Sequence, residues 1–338
     1  MTFLRFGLVA LTAATALSAL PAGADFKDNR AINYTVDGGT ATGYFKVMAE
    51  AINGIVREAY PGSAATYKPG SPAGGILNIA KGQSDLSFTG GAPEIIYALE
   101  GKAPYTESLK GKISFVMMTH NKLVAHNLAT KDWADRNGVA SFADIAAKKS
   151  QMRLSVNTRG NLQSTLGINV AIFDAYGVKE EELTKEAAIL HSNTSGGLEA
   201  LRDGKIDVLI NGSFLPTAEV ADIARNRPLV WISGDPAKMK QAADRWGYET
   251  FTVPKGAYPF VNKEEITLTL WNVVVAGAHV SEETVYKLLR AMAENLNRVR
   301  SIHPSLAQWS VESGARNLTA LPYHPGAARF YREAGVLK

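Results

Sequence analysis

The sequence predicts an α/β fold with largely parallel sheets, built as two similar lobes. A pattern of strand, loop of small residues and helix occurs three times, as is typical of parallel α/β domains. A Gly-x-x-Asp segment followed by apolar residues occurs twice, beginning at Gly82 and at Gly204. The chain has 338 residues, of which 46% are hydrophobic and 20% charged, so it can bury the cores of two medium domains.

The composition excludes several classes of function. The formal net charge of +4 comes from 36 basic and 32 acidic residues scattered along the chain, without a long run of one sign to follow a phosphate backbone. We therefore expect no nucleic-acid partner. The chain has no cysteine, which excludes disulfides, thiolate metal sites and cysteine nucleophiles.

Residues 1–24 have the pattern of a secretory signal peptide. Arg5 gives a positive start, residues 6–20 are apolar, and residues 22–24 form a small-x-small cleavage site. The apolar run is shorter than the roughly 20 residues that span a bilayer, which favours cleavage over the alternative of an uncleaved anchor. We expect a mature chain that begins at Asp25 and is exported to the periplasm.

Three βα units are indicated in order. The first has a strand at residues 31–36 and then a helix. The apolar residues of that helix recur at helical spacing: Phe45, Met48, Ala49, Ile52 and Ile55. The second unit has a helix capped by Ser71, with Pro72 in the first turn, where its missing N–H has no cost. The third has a strand at residues 152–156, a polar loop and a helix.

The two Gly-x-x-Asp segments group these units into lobes. Gly82 and Gly204 each end a predicted helix as a left-handed cap, Asp85 and Asp207 follow, and an apolar strand comes next. Two copies are too few for a solenoid but fit two lobes built alike. The alternative is that Gly-x-x-Asp is ordinary turn chemistry that occurs twice by chance.

Apolar segments predict the connections between the lobes. Residues 113–118 and 123–128 are expected to be strands that take the chain to lobe II, and a return crossing is expected near residues 250–253. A strand at 267–276 then belongs to lobe I, braced by a helix with an apolar stripe over 285–299. The predicted division is a signal peptide at 1–24, lobe I at 25–128 plus 253–338, and lobe II at 129–252.

Motifs of catalysis are absent from the sequence. The chain contains no G-x-x-x-x-G-K-[ST] phosphate loop, no G-x-S-x-G elbow and no H-E-x-x-H metal helix. Its six histidines are far apart, which indicates surface or packed structural histidines and no metal site. The loop at 38–43 lacks the three-glycine spacing of a dinucleotide site, so no cofactor is expected. We predict no catalytic residue and no enzyme.

Loops rich in Gly, Ser, Thr and Asn precede several of the predicted helices. The N–H groups at a helix start have no partner within the helix and carry a partial positive charge, so they can hold an anion without a catalytic residue. Several such ends facing one cleft would bind a carboxylate, at about 1.5–3 kcal/mol for each charge-assisted hydrogen bond. The alternative is that these loops are only turns and caps.

Four motifs resemble the TAXI-type solute-binding proteins of tripartite ATP-independent periplasmic (TRAP) transporters, over nearly the whole mature length. The loop 38–45, GGTATGYF, is similar to that family's opening loop with paired aromatics. Residues 70–86 resemble its G-S helix ending in G-x-x-D-L, and residues 200–207, ALRDGKID, its A-L-x-D-G-x-I-D block. The most specific match is the tail at 323–335, YHPGAARFYREAG, which resembles H-P-G-A-x-R-Y-Y-x-E-x-G.

The resemblance implies a two-lobed, Venus-flytrap periplasmic-binding-protein fold, type II-like, with a ligand cleft between the lobes. Such a receptor would capture a small organic anion, a dicarboxylate such as glutamate or 2-oxoglutarate, and deliver it to TRAP transporter membrane subunits by transient docking. The family's ligand-contact positions match residues of both lobes in this sequence. Tyr258 is added as an aromatic residue that can line the cleft. The predicted ligand-binding residues are Thr40, Tyr44, Ser71, Thr89, Asn157, Arg159, Asn161, Asn211 and Tyr258.

The chain departs from the family pattern at three places. Lys46 stands where the family has a proline, Gly75 lies near the place of an expected asparagine, and Arg159 begins the segment that replaces a G-S-G-T loop. A planar guanidinium in that loop could hold a carboxylate in bidentate fashion, the alternative being a solvated arginine. For Tyr258, beside Pro259, the alternative is packing.

Other functions stay open from the sequence alone. A receptor of the same shape could serve a sensor kinase or another importer, and neighbouring genes for a large multi-spanning membrane protein would favour transport. The cleft could instead host a periplasmic enzyme that uses Asp85, Asp207 or a histidine, although turn hydrogen bonding explains both aspartates. A cleft that must open and release its ligand also favours a monomer.

Overall fold

The computed structural model describes residues 26–338, except residues 40, 42–43, 91, 149–150, 157–163, 180–186 and 193. This part of the chain forms one mixed β-sheet packed against helices. The strands are β1 (Tyr34–Asp37), β2 (Ala65–Lys68), β3 (Leu86–Thr89), β4 (Ile113–Thr130), β5 (Met152–Val156), β6 (Ala187–His191), β7 (Val208–Phe214), β8 (Leu229–Trp231), β9 (Glu249–Val253) and β10 (Glu265–Gly277). The helices are α1 (Tyr44–Ala59), α2 (Pro72–Ala80), α3 (Ala92–Glu100), α4 (Lys131–Asn137), α5 (Phe142–Lys148), α6 (Ser164–Ala175), α7 (Thr194–Arg202), α8 (Ala218–Asn226), α9 (Pro236–Trp246), α10 (Glu282–Glu294), α11 (Leu296–Ser301), α12 (Val311–Ala315) and α13 (Pro325–Glu333).

The strand order is alike when the sheet is followed inward from either edge. From one edge it is β2-β1-β3-β10, from the other it is β6-β5-β7-β4, and β10 pairs with β4 in the middle. The strands β1 to β3 are parallel, as are β5 to β7, and we call these two groups with their helices the first half and the second half. Both β10 and β4 are antiparallel to their neighbours. The predicted α/β class is therefore confirmed.

Two long strands join the halves. The start of β4 pairs with β10 and its end with β7 and β8, whereas the start of β10 pairs with β9 and its end with β3. The strands predicted at 113–118 and 123–128 are thus one strand of 18 residues, and β10, rather than the segment at 250–253, makes the return crossing. The polar residues between the two predicted strands hid this continuity, because Thr119 and His120 face a polar partner, Asn272 of β10.

Each half packs against two separate hydrophobic clusters. In the first half, α1 and α10 contribute Met48 and Leu289 to one cluster, and α2 contributes Ile76 to the other. In the second half, α6 contributes Ile172 to one cluster and α7 contributes Leu201 to the other. Helices α1, α2, α7 and α10 are amphipathic and bury one face in these clusters, whereas the apolar residues of α6 are spread round the helix. No helix among the described residues is long and apolar enough to span a bilayer.

Two predictions about helix ends can be compared with the structure. Ser71 caps α2 as predicted, since its Oγ accepts a hydrogen bond from Gly74 N at 3.2 Å and Pro72 is the first helical residue. The apolar stripe predicted over 285–299 is divided between α10 and α11, because Asn295 between them adopts a φ of −122°, outside the helical region.

The closing motif fixes the last helix to the first half. His324 caps α13, with Nδ1 accepting a hydrogen bond from Gly326 N at 3.2 Å. A Cβ on Gly326 would lie 2.1 Å from the carbonyl oxygen of Glu282, so only glycine lets α13 approach α10 this closely. The Tyr331 hydroxyl donates to the carbonyl of Val116 at 3.1 Å. These residues therefore fix α13 against α10 and β4.

Candidate functional site

The carboxyl ends of β1 and β3 lie side by side because the two strands are parallel neighbours. Ligands of parallel α/β sheets bind at this kind of edge. After β1, the carbonyl of Gly39 accepts hydrogen bonds from the Tyr67 hydroxyl at 2.8 Å and from Gly70 N at 2.9 Å. The second bond places the loop before α1 beside the start of α2. Stacking of Phe45 on Phe88, with centroids 5.8 Å apart, joins α1 to the end of β3.

Thr89 and Asn211 occupy equivalent positions in the two halves, on β3 and β7, at the same spacing after the repeated aspartate. Their exposed fractions are 0% and 5%. Within the described residues, Thr89 Oγ1 has no hydrogen-bond partner, whereas Asn211 Oδ1 accepts a bond from Thr194 Oγ1 at 3.2 Å. Burying a hydroxyl without a hydrogen bond is unfavourable by about 1–3 kcal/mol. A ligand group that formed a hydrogen bond with Thr89 Oγ1 would remove this unfavourable free energy.

The starts of α2 and α7 approach the sheet through equivalent glycines. A Cβ on Gly75 would lie 2.3 Å from Ser87 Oγ, and one on Gly197 would lie 2.7 Å from Ser155 Oγ. Both helix starts therefore lie against the sheet, where their N–H groups can serve an anion. Ser71 is half-buried at the first of these starts. Its Oγ accepts the capping bond and its O–H hydrogen remains available to donate.

The repeated aspartates bond the neighbouring parallel strand. Asp85 Oδ2 accepts hydrogen bonds from Thr35 N at 2.7 Å and Thr35 Oγ1 at 3.0 Å. Asp207 Oδ2 accepts from Arg153 N at 3.0 Å and Nε at 2.9 Å, and its Oδ1 lies 2.6 Å from Nη2. Gly82 and Gly204 precede them with φ of +71° and +72°, as the predicted left-handed caps. This hydrogen bonding accounts for both aspartates as structural residues.

The pKa of Asp207 agrees with a structural assignment. Burial opposes ionisation of Asp207, but the hydrogen bonds from Arg153 outweigh it and hold the pKa below its ordinary value. Within the described ranges, no three histidine, aspartate or glutamate side chains converge as a metal site.

Tyr44, the first residue of α1, lies in a group of four rings that we call the ring cluster. Its ring centroid is 5.2 Å from that of His120, 5.7 Å from Phe214 and 5.0 Å from His303. His120 lies in the middle of β4 and Phe214 ends β7, so the ring cluster connects the two halves. The Tyr44 hydroxyl is 2.9 Å from Ser305 Oγ. His120, Phe214 and His303 were not among the predicted site residues.

The ring cluster is uncharged at neutral pH. Burial, with smaller contributions from His303 and Lys122, lowers the pKa of His120 to about 3. Burial also lowers the pKa of His303 and raises the pKa of Tyr44 well above its ordinary value. The cluster therefore packs as neutral rings and offers an anion no full charge.

Tyr258 lies in the core of the second half, in the same hydrophobic cluster as α7 and α8. Its hydroxyl is 2.8 Å from His126 Nε2 and accepts a hydrogen bond from Thr217 N at 2.9 Å. Burial raises its pKa to about 12. Its ring stacks on Phe260 with centroids 5.3 Å apart. A ligand contact by Tyr258 stays a prediction, and it would compete with these two partners.

The predicted site residues divide into three groups. In the first half, Tyr44 lies in the ring cluster, Ser71 caps α2 and Thr89 ends β3, while Asn211 on β7 of the second half has the same spacing from its aspartate as Thr89. Tyr258 lies apart from them. The predicted contacts at Thr40, Asn157, Arg159 and Asn161 fall outside the described residues and remain predictions.

Comparison with known proteins adds a family and a fold. The NMT1-like family matches residues 37–335 of this chain. PhnD1 from Prochlorococcus marinus, solved in complex with methylphosphonate, has a TM-score of 0.52 and 10% identity over 90% of this chain and 99% of that chain. This likeness confirms the predicted two-lobed periplasmic-binding-protein fold with a cleft between the lobes.

Two further solved structures are similar at lower scores. MatC from Rhodopseudomonas palustris, with bound malate, has a TM-score of 0.48 and 15% identity over 82% of this chain and 88% of that chain. The alkanesulfonate-binding protein SsuA from Xanthomonas axonopodis pv. citri, bound to MOPS, has a TM-score of 0.46 and 8% identity over 91% of this chain and 95% of that chain.

Proposed function

The chain belongs to the NMT1-like family, and we propose that it is a periplasmic receptor of the TAXI type, which captures a small organic anion and delivers it to TRAP transporter membrane subunits. The observation that supports this most is the equivalent placement of Thr89 and Asn211, two buried polar side chains at the same spacing after the repeated aspartate, on β3 and β7. A ligand held between them would touch both halves at once.

In this proposal the lobes are residues 25–128 plus 253–338 and residues 129–252. Lobe I offers the N–H groups at the start of α2, the Ser71 hydroxyl and the Thr89 hydroxyl, which has no partner among the residues that the structure describes. Lobe II offers Asn211, the start of α7 and Thr194. These groups are neutral donors and acceptors, so a carboxylate could bind without burying an unpaired protein charge.

The positive charge that would balance a ligand carboxylate is assigned to Arg159 and its loop. A guanidinium there would bind one carboxylate of a dicarboxylate in bidentate fashion, with Asn157, Asn161 and Thr40 donating around it. Tyr44 would close one side of the cleft through the ring cluster. Glutamate and 2-oxoglutarate are the ligands that we propose.

The receptor captures its ligand and does not transform it. Asp85 and Asp207, the aspartates considered for catalysis, already bond the backbone and side chains of neighbouring strands. Delivery requires release, so we propose a monomer whose lobes open and close on one ligand.

The proposal is tested by a thermal-shift screen of residues 25–338 against dicarboxylates, keto acids and amino acids, followed by calorimetry. We expect one acid to raise Tm and to bind with a Kd near 1 μM, about −8 kcal/mol, with the acid recovered unchanged. Arg159→Ala should weaken binding more than tenfold. A screen without any stabilising acid, or turnover of the bound acid, would contradict the proposal.

A further inference from the structure

A cavity of about 200 Å³ lies beside the middle of β4, and none of the predicted ligand-binding residues is among the described residues that line it. One wall is the segment from Met118 to Lys122, and the other is formed by residues between Ser305 and Arg316. His120 of the ring cluster lines this cavity, and the hydroxyl of Ser305 is bonded to Tyr44 and to His303, so the ring cluster borders the cavity.

The charged side chains of this cavity are of one sign. Lys122 and Arg316 line it, and no carboxylate lines it among the described residues. Arg316 is paired with Glu249, while Lys122 is exposed and has no ion pair in the part of the chain that the structure describes. His120 at the inner wall is neutral because burial lowers its pKa. One positive charge at the cavity is therefore left uncompensated, which favours a monoanion.

The cavity also has a flat apolar wall. Trp309 is 3% exposed, and its indole Nε1 donates a hydrogen bond to the Met118 carbonyl at 3.0 Å, which fixes the ring. Met118 lines the cavity next to it. Because a cavity of about 150 Å³ in another protein admits benzene, this volume is sufficient for a single six-membered ring with one substituent.

We propose that this cavity binds a small organic monoanion with a flat apolar body, the anionic group at Lys122 and Arg316 and the body against Trp309. Ser305, Gln308 and Ser313 add polar groups around the anion. Neither Thr89 nor Asn211 lines this cavity, and its occupation does not depend on the proposed transport function.

Benzoate is the probe for this site, and calorimetry with the full mature chain at pH 7 is the measurement. For a ligand of this size we expect a Kd of roughly 0.1–1 mM. Lys122→Met keeps the aliphatic stem and removes the charge, and should weaken benzoate binding about fivefold. Benzamide, which has the same shape without the charge, should bind at least tenfold more weakly than benzoate.

Two control variants locate the binding. Lys255→Met removes an exposed lysine that does not line the cavity, and Asn211→Ala changes the strand-end site; both should leave the Kd of benzoate unchanged. Absence of saturable binding at about 10 mM benzoate, equal binding of benzamide, or an unchanged Kd in Lys122→Met would each overturn the proposal. Loss of benzoate binding in Asn211→Ala would do so too, because it would place benzoate in the cleft.

Discussion

The two halves of the molecule share their framework and differ where a ligand would bind. Gly75, Gly82 and Asp85 of the first half have the counterparts Gly197, Gly204 and Asp207, and each pair has the same structural role. The polar residues four positions after the aspartate are different, Thr89 on β3 against Asn211 on β7. The repeat therefore preserves the residues that build each half, while the residues proposed to contact the ligand differ.

The difference extends to the strand that pairs with each of these residues. Thr89 lies opposite Val273 of β10, whereas Asn211 lies opposite His126 of β4. An asymmetric pair of partners suits an asymmetric ligand, such as an acid with two unlike ends. It also gives the second half a titratable group that the first half lacks at this position.

The largest expected effect comes from the repeated aspartates. Asp207→Ala removes hydrogen bonds to Arg153 and leaves that guanidinium without its carboxylate, so we expect the free energy of unfolding to fall by about 2–3 kcal/mol. The side chain of Asp85 is 30% exposed, against 10% for Asp207. Asp85→Ala should therefore lower the free energy of unfolding by a smaller amount, about 1–2 kcal/mol. Urea unfolding measures both.

Asp203→Ala is the matched control for these aspartates. Its carboxylate pairs with Lys205 at the surface, so its removal should change the free energy of unfolding by less than about 0.5 kcal/mol. Equal losses in Asp203→Ala and Asp207→Ala would refute the structural role assigned to the repeat.

The next effect is on the pH dependence of stability. Burial lowers the pKa of His126 to about 4, so between pH 6.5 and pH 4 the unfolded chain binds a proton that the folded chain does not. Stability is full above about pH 6.5 and is lost as the pH falls toward 4, by roughly 1 kcal/mol for each pH unit.

Replacing the His126 ring should remove its share of this dependence, while the share of His120, whose pKa burial also lowers, remains. His126→Gln, which can still bond the Tyr258 hydroxyl, should show a flatter dependence of the urea midpoint on pH between pH 7 and pH 5. A slope as steep as that of the original chain would show that His126 does not contribute. His279→Gln is the control, because the His279 side chain is exposed whereas that of His126 is buried.

The smallest effect concerns the two glycines that seat α2 and α7. Gly75→Ala and Gly197→Ala should each lower the free energy of unfolding by about 1 kcal/mol, because the added Cβ overlaps a serine hydroxyl that must shift. Gly54→Ala in α1 meets only Arg298 Nη2 at 3.6 Å, and should raise stability by about 0.5–1 kcal/mol. Stabilisation in all three variants would contradict close packing at the helix starts.

Local chemistry made part of this fold predictable. The cap at Ser71, the left-handed Gly82 and Gly204 and the strands that follow depend on neighbours in sequence, and the sequence alone predicted them. The continuity of β4 was hidden because its polar middle is satisfied by Asn272, which is distant in sequence. Only the fold reveals such a pairing.

The site was predictable only in part for the same reason. Tyr44 was identified through the family resemblance, but the rings around it come from β4, β7 and the C-terminal region, and no local pattern connects them. Burial of Thr89 without a partner likewise follows from tertiary packing, which neither hydrophobic periodicity nor a sequence motif records.

We propose that polar side chains from both halves hold one anion. Calorimetry of the site variants tests this most directly. With 2-oxoglutarate and glutamate as probes, Thr89→Val and Asn211→Ala should each weaken the Kd about tenfold or more, roughly the worth of one hydrogen bond to a charged group. Thr66→Val, on the exposed face of β2, should leave it unchanged. An unaltered Kd in either Thr89→Val or Asn211→Ala would contradict binding by both halves.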